Sequence, residues 1–162
     1  MNSPLDVEQA ELDRLSGIFM TALSAKEAGK LDAAEELLRD ILRAEPRLAE
    51  PHMELARILL DTDRLNPAEA EAREALVQLS ATGPWLEEVG GATVHAIAHS
   101  LLAEILRRRA DEDEIIFGDP EVFTALLDES RKHFDLARKL DPSDEYASFH
   151  AVFLGPQSKD VN

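Results

Sequence analysis

The turn residue at Gly29 has a counterpart at Asp63, and the sequence around the two runs in register at an offset of 34 residues (63 − 29). "GKLDAAEELLRDILRAEP" (Gly29–Pro46) lies over "DRLNPAEAEAREALVQLS" (Asp63–Ser80). That places Leu31 over Leu65, Ala34 over Ala68, Leu38 over Ala72, Ile41 over Ala75 and Leu42 over Leu76. The preceding segments also match. "LSGIFMTALSAKEA" (Leu15–Ala28) lies over "AEPHMELARILLDT" (Ala49–Thr62), with Ala22 over Ala56 and Ala25 over Leu59. A period of this length constrains the fold severely, because each unit must be one supersecondary element repeated in space. Each unit reads as a helix, a tight turn, a second helix and a breaker. Pro46 closes the first unit, while Pro51 and Pro67 sit in first turns of later helices, where a missing N–H costs nothing.

Small residues at Ala22, Ala34, Ala56, Ala68 and Ala75 let two antiparallel helices approach closely. Leu31, Leu38, Leu55, Leu59 and Leu65 fill the gaps between units. A single pair cannot bury its apolar face, so neighbours must stack. Composition agrees with an all-α chain: Ala, Leu, Glu and Arg are good helix formers, aromatics are only 5%, and β-branched runs at strand spacing are missing. At 162 residues the chain reads as one domain that buries roughly 70% of its unfolded surface without crosslinks.

A third unit is present but interrupted. "SRKHFDLARKLDPS" (Ser130–Ser143) carries the second-helix pattern, with Ser130 in the small-residue place, then Phe134, Ala137 and a terminal Pro142. Its first helix is expected over "AIAHSLLAEILRRR" (Ala96–Arg109). Ser80 to Pro142 is 62 residues, 28 more than one period (62 − 34), and the excess divides between "ATGPWLEEVGGAT" and the segment around "DEDEIIFGDP". A rival register starts this helix at Pro84 and uses Leu86, Val89 and Gly90. It forces Gly90–Gly91 into a helix at ~1 kcal/mol per glycine and ranks second.

These units resemble the tetratricopeptide repeat family. "G-x-L-D-x-A…L…I-L-x-x-x-P" (Gly29–Pro46) follows its second-helix signature, and "H-x-x-L-A-x-x-L" (His52–Leu59) its first-helix signature, with His52 where an aromatic is usual. In the first unit Thr21 replaces the expected leucine and Ile18 the aromatic. The resemblance covers roughly Leu15 to Ser143 and implies a right-handed α-solenoid of antiparallel helix pairs. The expected domain spans 1–155, with repeats at about 15–48, 49–82 and 92–143, a C-terminal capping helix at about 143–155 and a flexible tail at 156–162. "SPLDVEQAELDRL" is expected to extend the first helix, with Ser3 as cap and Pro4 at its first position.

In this family the first helix of each unit lines a concave groove that takes peptides. Carried over, the pattern gives Phe19, Leu23 and Lys26, then Glu50, Met53, Arg57, Leu60 and Asp61, then Ile97, Ser100, Leu101, Glu104 and Arg107. One subfamily clamps a C-terminal carboxylate with lysines and asparagines on these faces; here Phe19, Leu23, Met53 and Arg57 stand there instead. What remains is an apolar strip with a methionine and mixed charges at its edges, suited to an amphipathic helix or an apolar segment of another protein, a basic one included. The competing expectation is that terminal helices fill the groove internally, around Phe19 and Leu23. On the open-groove reading, Met53→Glu with Leu60→Glu removes binding and leaves the fold intact.

The rest of the chain offers little chemistry. There are no cysteines, which excludes disulfides and thiolate sites and fits a reducing compartment. The acidic N-terminus lacks the pattern of a secretory signal, no apolar segment reaches the ~18–20 residues of a membrane span, and a cytoplasmic location is expected. A net charge of −16, from 33 acids against 17 basic side chains, opposes nucleic-acid binding. Arg107–Arg109, Arg131–Lys132 and Arg138–Lys139 fall near helix C-termini, where they complement the dipole. His95 and His99 could share a helix face, but Ala96 stands where a zinc hydrolase carries glutamate, so a metal enzyme is only a third alternative. "DEDE" (Asp111–Glu114) lacks the alternation of a calcium loop. No catalytic residue, cofactor or metal is assigned. The leading reading is a non-catalytic adaptor; the second is a chaperone for a secreted hydrophobic client of the type III secretion class.

The stretch "RRRADEDEIIFGDPEVF" departs most from the repeat. Asp119–Pro120 read as N-cap and first position of a long helix to about Leu140. Ile115, Ile116 and Phe117 either fold back over the stack or form a second docking surface.

Overall fold

A computed structural model describes residues 7–86 and 90–142. They form seven helices among the described residues, and no strand: α1 (Gln9–Glu27), α2 (Leu31–Ala44), α3 (Ala49–Asp61), α4 (Leu65–Ala81), α5 (Gly91–Ala110), the short α6 (Asp113–Ile116) and α7 (Pro120–Leu140). α1 pairs with α2, α3 with α4 and α5 with α7; α2 then packs on α3, and α4 on α5. This is the tetratricopeptide-like stack of helix pairs. The expected capping helix, the tail, Ser3 and Pro4 lie outside the described residues. The helix bearing Leu15 starts at Gln9 rather than Pro4, because Val7 and Glu8 are not helical.

Burial follows position in the stack. α1 buries one stripe, Leu12, Leu15, Phe19 and Ala22, and α2 buries Ala34, Leu38 and Ile41. α3 is covered on nearly every side, from Ala49 to Leu60, because it has α4 beside it, α2 before it and α5 after it. A helix apolar all round has to sit inside. The small residues are inside as the repeat requires: Ala22, Ala34, Ala56, Ala68 and Ala75 are all buried. In the third pair the seam is Ala96 and Ala103 against Phe134 and Ala137. Ser130 takes the small-residue place there, and its hydroxyl donates to the Ala103 carbonyl at 2.6 Å.

The turns at Gly29 and Asp63 share one hydrogen-bond pattern. Gly29 N–H donates to Lys26 O and Lys30 N–H to Ala25 O; Asp63 N–H donates to Leu60 O and Arg64 N–H to Leu59 O. Gly29 and Asp63 both have positive φ, 78° and 60°. Such a residue reverses the chain and satisfies carbonyls that the ending helix leaves open. Aspartate is one of the few non-glycines that tolerates this conformation.

The third pair turns differently. α5 starts at Gly91, between the Ala96 start and the rival at Pro84, with Gly90 as its N-cap rather than inside it. Asp119 caps α7, its carboxylate accepting from Glu121 N–H at 2.9 Å, with Pro120 at the first position. α6 fills the insertion, and the turn that follows it passes through Gly118, where a Cβ would stand 2.5 Å from the Glu114 carbonyl oxygen. Arg107–Arg109 do more than complement a dipole. Arg108 reaches Asp63 at 3.1 Å and Arg109 reaches Glu69 at 2.5 Å, both on the preceding pair, while Arg107 meets Asp111 at 3.7 Å.

The open space around Gly29 isolates its backbone role, since a Cβ there meets nothing within 4 Å. Gly29→Ala should therefore destabilise by about 1–2 kcal/mol through strain alone, read as a lower urea midpoint at unchanged slope.

Candidate functional site: the first-helix face

The first helices α1, α3 and α5 carry the residues expected to meet a partner. They differ sharply in accessibility. Met53 is 8% exposed and Leu60 1%. Both belong to the core with Leu101 rather than to an open apolar strip. This corrects the expectation that Met53→Glu with Leu60→Glu spares the fold: charging two buried sites would unfold it. Phe19 is also buried, at 2%. Leu23, Lys26, Glu50, Arg57, Ser100, Glu104 and Arg107 are half-buried, and Asp61 is exposed. Ile97 is the one large apolar residue of this set that is open, at 42%.

Two ion pairs cross between successive first helices. Lys26 of α1 pairs with Glu54 of α3, and Arg57 of α3 with Glu104 of α5 at 3.1 Å. Their exposure keeps each worth at most about 1 kcal/mol, but they fix a row of alternating charge along the face.

Phe19 is covered from an unexpected direction. The connector between α4 and α5 brings Trp85 onto it, with ring centroids 5.6 Å apart and planes at 57°. The Glu50 carboxylate accepts the N–H groups of Trp85 at 3.0 Å and Leu86 at 2.7 Å. Among the described residues the connector thus covers Phe19; the expected capping helix lies outside them. The α6 segment is divided: Ile115 packs against the core, while Ile116 is 49% and Phe117 85% exposed.

The described histidines form no cluster of ligands. His95 Nδ1 contacts the Gly91 carbonyl at 2.9 Å. His99 pairs instead with His133 of α7, Nδ1 to Nδ1 at 2.9 Å, with rings stacked 5.1 Å apart. Among the described residues no three His, Cys, Asp or Glu side chains are arranged to hold a metal ion. Burial, and the neighbouring His133, His95 and Lys132, push His99 down to about 4. Burial likewise lowers His133, with Glu129 at 3.5 Å working against it. His52 goes the other way. Burial opposes its charge, but the Glu71 carboxylate at 2.6 Å and the Pro46 carbonyl at 2.7 Å outweigh it and raise its pKa.

With this geometry in view, residues 25–84 match the family model described as Tetratricopeptide repeat. Residues 25–84 carry the tetratricopeptide repeat. The first such domain of Spaghetti (RPAP3), solved bound to the HSP90 peptide SRMEEVD, is similar in fold, with a TM-score of 0.64 at 13% identity over 88% of this chain and 90% of that one. No curated protein matches. None of the described helices is long and apolar enough to cross a membrane.

The His99–His133 stack gives the protein a pH signature. Both folded-state values lie below the ordinary 6.5, so the neutral pair's contribution is complete above pH ~6.5 and is lost as pH falls toward ~4. His52 has the opposite sign: its contribution is complete below ~6.5 and is lost as pH rises through its raised value. Glu35, Glu45, Glu129 and Asp135 sit below the usual carboxylate range beside arginines and stay charged in the acid window. Urea midpoints should therefore fall between pH 6.5 and 5 in the wild type, and His99→Gln should lose most of that slope.

Proposed function

We propose that this chain is a non-catalytic adaptor whose first-helix face takes a segment of a partner protein. The observation that carries the reading is the open part of that face. Exposed Ile97 and half-buried Leu23 lie on helices joined by the Lys26–Glu54 and Arg57–Glu104 pairs. An apolar foothold flanked by charges that can exchange partners suits an amphipathic or apolar segment. We take the three repeats as about 15–48, 49–82 and 92–143, so that α1, α3 and α5 supply the face.

The peptide bound to the Spaghetti domain supports the mode but not the ligand. SRMEEVD carries three acids, and this chain has a net charge of −16. Like charge disfavours such a partner and favours a basic one. The adaptor reading is preferred over a chaperone for a hydrophobic client, because Met53, Leu60 and Leu101 are buried and leave no broad apolar strip. Ile116 and Phe117 form a second candidate docking surface.

A random peptide-display selection on the purified protein tests this reading. Ile97→Glu and Glu104→Lys should each weaken the selected ligands about tenfold or more with melting unchanged. Ligands indifferent to both but lost in Phe117→Ser would move binding to the α6 corner.

A further inference from the structure

The α4–α5 connector is long for its task. α2 and α3 are joined by four residues, 45–48, whereas α4 and α5 are joined by nine, 82–90. The described part of those nine lies on the first-helix face through two independent contacts. The Trp85 indole sits tilted on Phe19, a geometry aromatic pairs favour. The two oxygens of Glu50 accept one N–H each, from Trp85 and from Leu86. The carboxylate reads main chain, whatever the side chains are, and the Phe19 ring selects an aromatic. Together they make up a small recognition site for an extended segment, and the chain's own connector fills it.

This inference rests on the adaptor reading and names what the face recognises. We propose that residues 82–86 stand in for a partner segment. That segment presents an aromatic ring to Phe19 and two consecutive N–H groups to Glu50, and it binds by displacing the connector. A proline before the aromatic residue, as Pro84 stands before Trp85, lowers the entropy lost when the segment is ordered. Competition from the connector lowers the apparent affinity by the fraction of time the face is open, so the connector also filters out segments that match only one of the two contacts.

The probe is the capped hexapeptide ATGPWL, the sequence of residues 81–86, titrated into labelled protein and followed by NMR shifts. In the wild type it competes with a tethered copy whose effective concentration is on the order of millimolar. In Trp85→Ala the ring seat is empty. The peptide should bind Trp85→Ala at least about tenfold more tightly than wild type, with shifts centred on Phe19, Glu50 and Met53. Adding Glu50→Ala should weaken that binding about tenfold. A folded Trp85→Ala that shows no shifts up to the solubility limit, equal binding to both proteins, or shifts centred elsewhere would overturn the proposal. If Trp85→Ala proves unfolded, Trp85→Leu retains apolar cover on Phe19 and the same comparison decides. Success of the Ile97 test with failure here would leave a protein-binding face whose ligand does not resemble the connector. The two readings can therefore fail separately.

Discussion

A helix pair of this kind cannot bury its own apolar stripe, and everything else in the molecule follows from that. Alanines let the two helices of a pair approach closely, and Ala22, Ala34, Ala56, Ala68 and Ala75 are all buried. Larger residues such as Leu38, Leu55 and Leu59 then have to be covered by the next pair. α3 shows the consequence most clearly. Held between two layers, it is buried almost all round, and only Glu54, Arg57 and Asp61 along its length after Met53 reach solvent to any degree. The same constraint that makes the stack also strips the first-helix face of most of its large apolar side chains.

That is why the fold is legible in the sequence and the site only partly so. The repeat is local information: a turn, two periodic faces and a proline recur at one offset, and the turns at Gly29 and Asp63 duly form matching hydrogen bonds. The Asp119–Pro120 start of α7 is equally local. Accessibility is not. Met53 and Leu60 occupy positions that face a partner in the repeat pattern, yet neighbouring layers cover them. The contacts of Trp85 with Phe19 and Glu50 cross two helices and obey no period. Spacing puts His99 with His95 on one helix, whereas its ring partner is His133 on α7. Ile115, Ile116 and Phe117 are one run in the sequence, and a single helical turn separates the first from the other two.

Electrostatics ties the layers without dominating them. Arg64 to Glu35, Arg73 to Glu129 and Arg109 to Glu69 each join one pair to another. Most are partly exposed and screened, so they set register between layers more than they add stability. The acidic excess remains available to a partner, where it speeds the approach of a basic segment and repels an acidic one.

If ligand and connector share one seat on the first-helix face, the connector has to leave when a ligand arrives. Trp85 is the only tryptophan in the chain, so its fluorescence reports that seat without labelling. Binding of a ligand that depends on Ile97 should shift its emission to the red, as the indole leaves Phe19 for water. Saturating binding of such a ligand with the Trp85 emission unchanged would contradict a shared seat.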